Sequence, residues 1–143
     1  DIPGVVILDL YAKSFDAEAH KKILSEAKAV VFQFPFYWAS APSQLKKWLD
    51  EIFTPLAQTE VVKGKPLMVA TTTGSEYEAY RSGGRNHFTM DELLRPYQLT
   101  ANHSGMVWQT PHVVYGVATP AGAENVKEGA KAYRQRIEAL LKK

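Results

Sequence analysis

Apolar residues along this chain alternate between two rhythms. Short runs rich in β-branched and aromatic side chains lie at 5–10 (VVILDL), 30–34 (VVFQF), 66–73 (PLMVATTT) and 107–115 (VWQTPHVVY). Such runs predict strands covered on both faces. Between them, apolar positions recur at helical spacing. Asp16 is placed to cap a helix from Ala17 to Ala27 with Ala19, Ile23, Leu24 and Ala27 as its stripe. Leu45, Trp48, Leu49 and Ile52 form the apolar face of a helix over Ser43–Phe53, with Lys46, Lys47, Asp50 and Glu51 between them. Thr89 and Glu92 make a capping-box pattern ahead of Leu93, Leu94, Tyr97 and Ala101. Pro96 should kink or split that helix, and Pro111 should interrupt the last strand. Ala121–Leu141 reads as a terminal helix with basic residues in its last turn. Strands alternating with helices predict a doubly wound parallel α/β sheet.

The densest chemistry lies where the second strand ends. Pro35 stops the strand, and Phe36, Tyr37 and Trp38 fall in the turn that follows, ahead of Pro42 and the helix. The carboxyl ends of strands in open α/β sheets are where such folds bind ligands. On the residues alone, a plug at the sheet end is the favoured reading of Phe36 and Trp38, and a strand terminus that of Thr71–Thr73.

Composition narrows the classes. At 143 residues one domain is expected, with 45% hydrophobic and 22% charged residues, as in ordinary globular proteins. A net charge of +2 is too small to argue for nucleic acid or an anionic membrane as a partner, and no nucleic acid is expected. No cysteine is present, which excludes disulfides, thiolate zinc sites and cysteine nucleophiles. The histidines lack paired ligand spacing, so no metal site is expected. His20 sits beside Lys21 and Lys22 on what should be a solvated helix face, and Trp48 reads as core. No apolar run reaches the ~18 residues of a membrane span, and the opening DIPGV is no signal peptide, so a cytoplasmic protein is the default expectation.

The 34–53 segment resembles the flavodoxin-like NAD(P)H:quinone oxidoreductases, a family that includes ancillary flavoproteins of bacterial potassium-efflux systems. The resemblance rests on Phe34, Pro35, Trp38, Pro42, Leu45, Lys46, Trp48, Leu49, Asp50, Ile52 and Phe53. It extends less densely from Val5 to Leu141. It implies a flavodoxin-like doubly wound parallel sheet in the order 2-1-3-4-5. Val5–Leu10 with Asp9–Ala12 then looks like the family's second strand. The opening strand and phosphate loop are missing from the sequence, so residues 1–143 are expected to be a single flavin-binding domain, incomplete at its amino terminus.

The resemblance also implies chemistry. FMN or FAD would lie against Phe36, Tyr37, Trp38 and Ala39 on one side and Thr72, Thr73, Gly74 and Ser75 on the other. Tyr80 matches a tyrosine near the flavin O2 edge. Asn86 or His87 would stand for a family histidine that stabilises charge on the reduced ring. NAD(P)H would be the co-substrate and a quinone the acceptor, in a ping-pong cycle completed across a homodimer. Arg136 matches an arginine that reaches the distal cofactor. The alternatives are a regulatory subunit docking on a membrane potassium transporter and a one-electron carrier. The carrier is disfavoured by 17 basic against 15 acidic side chains, since such carriers present an acidic face.

Overall fold

The computed structural model describes residues 2–12 and 14–142. Four parallel strands form its sheet: β1 (Val30–Pro35), β2 (Pro66–Thr72), β3 (Val107–Trp108) and β4 (His112–Val114). β1 runs in register along β2 from Val30 opposite Leu67 to Pro35 opposite Thr72. β3 and β4 share the other side of β2, opposite Pro66–Leu67 and Ala70–Thr72 respectively. Pro111 stands between them, where its missing N–H breaks the ladder as expected. Helices α1 (Ala17–Glu26), α2 (Ser43–Trp48), α3 (Met90–Leu93), α4 (Arg95–His103) and α5 (Gly122–Leu141) make up the connections.

Each boundary has a local cause. The Asp16 side chain caps α1 by accepting from the Ala19 N–H. Thr89 and Glu92 complete a reciprocal capping box at α3, and the two hydrogen bonds from Thr89 to the Glu92 carboxylate hold its pKa below the usual range. Pro96 falls in the first turn of α4, where a proline is tolerated, and the predicted single helix is accordingly two. α5 has no basic residue in its last turn; the lysine nearest its end, Lys142, is its C-cap.

The principal core lies on one face of the sheet. Phe32, Phe34, Leu67 and Val69 meet Leu45, Trp48, Ile52, Leu94, Tyr97 and Ala101 there. After Trp48 the helix loosens into a π-helical turn, Leu49–Phe53. That turn brings Phe53 alongside Trp48, with ring centroids 5.8 Å apart, while both rings meet Phe32 edge-on. The Trp48 indole N–H donates to His20 Nδ1 at 2.9 Å. His20 is therefore half-buried against the core, not on a solvated face.

The opposite face is thinner and is covered by α5, with Met68, Ile137 and Leu140 as its buried centre and Ile2 packed beside them. Gly129 allows the close approach, since a Cβ there would lie 2.5 Å from Val114 Cγ2. Beside α5 a largely apolar cleft of about 370 Å³ stays open over Phe34, Ala70 and Thr72. His112 lines it, stacked 5.1 Å from Tyr133, with its Nε2 buried and unpartnered among the described residues. Desolvation, with the Arg136 charge second, holds the His112 pKa below its ordinary value of 6.5. The folded state thus binds this proton less readily than the unfolded chain, so stability falls as pH drops below 6.5. His112→Phe should gain on the parent in thermal stability as pH is lowered from neutrality to about 5. An offset that stays constant with pH would assign the acid sensitivity to other groups.

Val5–Leu10 is not a strand. Its backbone is irregular, and Val6 and Ile7 are exposed at 66% and 82%. In the order 2-1-3-4-5 a second strand pairs only with the central first one. Among the described residues no strand lies beyond β1, so this segment has no ladder to join; the Val5 N–H turns to the Ile2 carbonyl and the Asp9 carbonyl takes the Ala12 N–H instead.

Candidate functional site

The carboxyl ends of β1, β2 and β4 meet at one end of the sheet. The Phe36 N–H donates to the Thr72 carbonyl at 3.0 Å, which ties the aromatic turn to the end of β2. Beyond Phe36 the chain reverses in a two-residue hairpin closed by reciprocal bonds between Tyr37 and Ser40 at 2.9 and 3.0 Å. Trp38 and Ala39 occupy its corners with φ of 50° and 59°. Side-chain-bearing residues hold that left-handed geometry at a cost of about 1–3 kcal/mol each. It is sustained from below, since the buried Tyr97 hydroxyl accepts from the Ala41 N–H at 2.9 Å and bonds Ser40 Oγ at 3.3 Å. The Trp38 ring is 100% exposed, and the Trp38 and Ala39 amides have no acceptor among the described residues.

The loop after β2 is set just as firmly. Thr73 N–H donates to the Val114 carbonyl, and its hydroxyl to the Ser75 carbonyl at 2.8 Å. Fully buried, Thr73 has no donor to offer outward and supports the loop from behind. The Thr71 hydroxyl is likewise spent on the Phe34 carbonyl at 2.7 Å. What remains available is the Thr72 side chain, which is partly exposed, and the amides of Gly74 and Ser75, which find no acceptor among the described residues. The Ser75 hydroxyl accepts from Arg85.

Tyr80 stands beside both loops. Its ring lies edge-on to Phe36 at 6.1 Å and 5.9 Å from Tyr115, which in turn meets Tyr77 at 5.3 Å. Burial, with Asp91 as a lesser cause, pushes the Tyr115 phenol up to about 12, so it stays a neutral donor. The segment after Tyr80 folds back tightly. Gly84 donates to the Arg81 carbonyl at 2.9 Å and Asn86 to the Ala79 carbonyl at 3.2 Å. A Cβ at Gly84 would sit 2.1 Å from the Glu78 carbonyl oxygen, so no larger residue fits without moving the loop. His87 is exposed at φ 60°, and only its backbone, donating to the Gly84 carbonyl at 3.0 Å, joins the loop. Asn86 is the more sheltered of the two.

The structure thus gathers Phe36–Ala39, Thr72–Ser75 and Tyr80 at one site. Arg136 lies elsewhere, on α5, donating to the Thr110 carbonyl and to Met68 Sδ. Sequence reasoning missed Tyr77, Arg81 and Tyr115. The signal for Tyr115 was present, since it directly follows an apolar strand run.

A flat heterocycle with acceptors along its edge fits this arrangement. Paired free amides end two adjacent strands, and an aromatic ring stands exposed beside them. Among the described residues no group of acidic or histidine side chains could hold a metal ion, and no helix is long and apolar enough to cross a membrane.

Residues 3–139 match the flavodoxin-like fold family. The chain is 37% identical to the glutathione-regulated potassium-efflux system ancillary protein KefG of Pectobacterium atrosepticum, over 98% of this chain and 80% of that protein. General stress protein 14 of Treponema denticola, solved in complex with FMN, superposes with a TM-score of 0.81 at 30% identity, over 88% of this chain and 74% of that one. An NADPH-quinone reductase from P. pentosaceus superposes at 0.75 with 29% identity, over 90% and 76%. The chain belongs to the flavodoxin-like NAD(P)H:quinone oxidoreductase family.

Proposed function

We propose that this chain is a flavin-dependent oxidoreductase that takes hydride from NAD(P)H and delivers two electrons to a quinone-type acceptor. The observation that carries this reading is the bond from Phe36 to Thr72, which brings two loops with unspent amides together at the strand ends. When bound, the flavin supplies the hydride-accepting and electron-delivering chemistry. The Trp38, Ala39, Gly74 and Ser75 amides would donate to its edge, and such donors, held before the reaction, favour charge as it develops. Trp38 would cover the ring on one side. The Tyr80 hydroxyl is assigned as donor to the charged edge, with Asn86 or His87 as a second. FMN is the form supported by the flavin-complexed relative, and a homodimer would complete the site. Likeness to a potassium-efflux ancillary protein favours a second reading, a flavin-binding subunit docked on a membrane transporter.

Titration with FMN and FAD, followed by stopped-flow reduction with NADPH and NADH, tests the proposal. Micromolar flavin affinity and rapid bleaching by a nicotinamide are expected. Folded protein without flavin affinity would overturn the enzyme reading, and bound flavin that neither nucleotide reduces would favour the regulatory one. Trp38→Ala should weaken flavin binding by about 1–3 kcal/mol and leave apo stability nearly unchanged, because the ring has no core contact to lose. Unchanged flavin affinity would remove Trp38 from the site. Tyr80→Phe should slow flavin reduction about tenfold, roughly 1.4 kcal/mol, while flavin stays bound. Unaltered reduction rates would take its hydroxyl out of the mechanism.

A further inference from the structure

A second cleft, of about 340 Å³, opens beside Tyr80, between the 77–91 segment and β4. Tyr77, Tyr80 and Tyr115 supply its aromatic walls, while Arg81 and Asp91 bring charge of both signs to its lining. The volume lies at the small end of ligand sites, enough for a nucleoside phosphate but not a whole dinucleotide. The Arg81 guanidinium rests 5.7 Å from the Tyr77 ring centroid. Among the described residues every ion pair lies elsewhere, so neither Arg81 nor Asp91 is neutralised by a partner. The Arg81 backbone is fixed by the Gly84 bond, so this charge is displayed from a set loop.

Resting on the redox reading above, we infer that this cleft holds the adenosine half of the reduced pyridine nucleotide, and that Arg81 selects NADPH over NADH through the 2′-phosphate. The chemistry of the lining matches the pieces of that half. A purine stacks on tyrosine faces, and its exocyclic amino group is a donor for the Asp91 carboxylate. A guanidinium fork with no carboxylate partner suits a phosphate dianion. Tyr80 lines the cleft and also reaches the aromatic turn through Phe36, so the nicotinamide end of the same molecule faces the flavin site. A merely aromatic acceptor would account for the tyrosines but leave Arg81 and Asp91 unused.

Calorimetry on the flavin-loaded protein with 2′,5′-ADP and with 5′-AMP tests this directly. 2′,5′-ADP should bind at least about tenfold tighter than 5′-AMP. Arg81→Met should abolish that margin, Arg81→Lys should restore part of it, and Asp91→Asn should weaken both ligands alike. In stopped-flow reduction the Arg81→Met loss should fall on the NADPH concentration needed for half-maximal rate, not on the limiting rate. Equal binding of the two ligands, or a margin that survives Arg81→Met, would overturn the inference even if both nucleotides reduce the flavin. An Arg81-dependent margin in a protein whose flavin neither nucleotide reduces would support the cleft and sink the redox reading.

Discussion

Trp48→Ala should cost about 3–5 kcal/mol of folding stability, enough to leave little of a typical domain's total of about 5–15. Trp48 is 3% exposed and joins three elements at once. Its ring meets Phe32 on β1 and Phe53 in the π-helical turn, while its N–H reaches His20 on α1. Truncation empties the centre of that cluster, and rigid aromatic neighbours cannot collapse into the space. Trp48→Phe separates the two contributions. It keeps most of the packing and removes one hydrogen bond to a half-buried partner, a loss of about 1 kcal/mol. Chemical denaturation of the three proteins measures both steps. Equal stability of the alanine and phenylalanine variants would mean that the indole bond, not the ring, holds the cluster.

Gly84→Ala should slow flavin reduction about tenfold, as Tyr80→Phe does, and raise the NADPH concentration needed for half-maximal rate, with a far smaller loss of overall stability. The substituted Cβ would overlap the Glu78 carbonyl oxygen and crowd that of Ala79 at 2.8 Å. Both contacts are backbone, so the loop itself must shift, carrying Tyr80 and Arg81 with it. Moving the Tyr80 hydroxyl out of reach forfeits its share of the rate, about tenfold or roughly 1.4 kcal/mol. The loop lies outside the main core, which limits the thermodynamic cost. Stopped-flow reduction beside a thermal melt distinguishes this from general damage. Near-parental reduction would show that the turn tolerates a methyl group, and that Tyr80 does not depend on it.

Much of the architecture was legible in the sequence because short apolar runs and helical stripes are local signals. The Thr89 capping box, the Pro96 break and the Pro111 interruption each come from residues a few positions apart. The failure at Val5–Leu10 has the opposite cause. A strand exists only if another strand receives its hydrogen bonds, and that information does not reside in the strand. At the site, resemblance pointed to loops that lie together at the sheet end but not to which of their atoms are free. Thr72 and Thr73 look alike as letters, yet the pleat turns Thr73 inward, where its hydroxyl meets the Ser75 carbonyl. The part played by His20 required a long-range contact with a residue 28 positions away, beyond any periodicity.

The corners of the aromatic hairpin, Trp38 and Ala39, hold left-handed backbone that glycine would adopt freely. Because neither is glycine, the empty turn has few other shapes to visit, and little conformational freedom is left for an incoming ligand to remove. Ala39→Gly would relax the corner and return that freedom, so the loss would be felt in affinity and not in the fold.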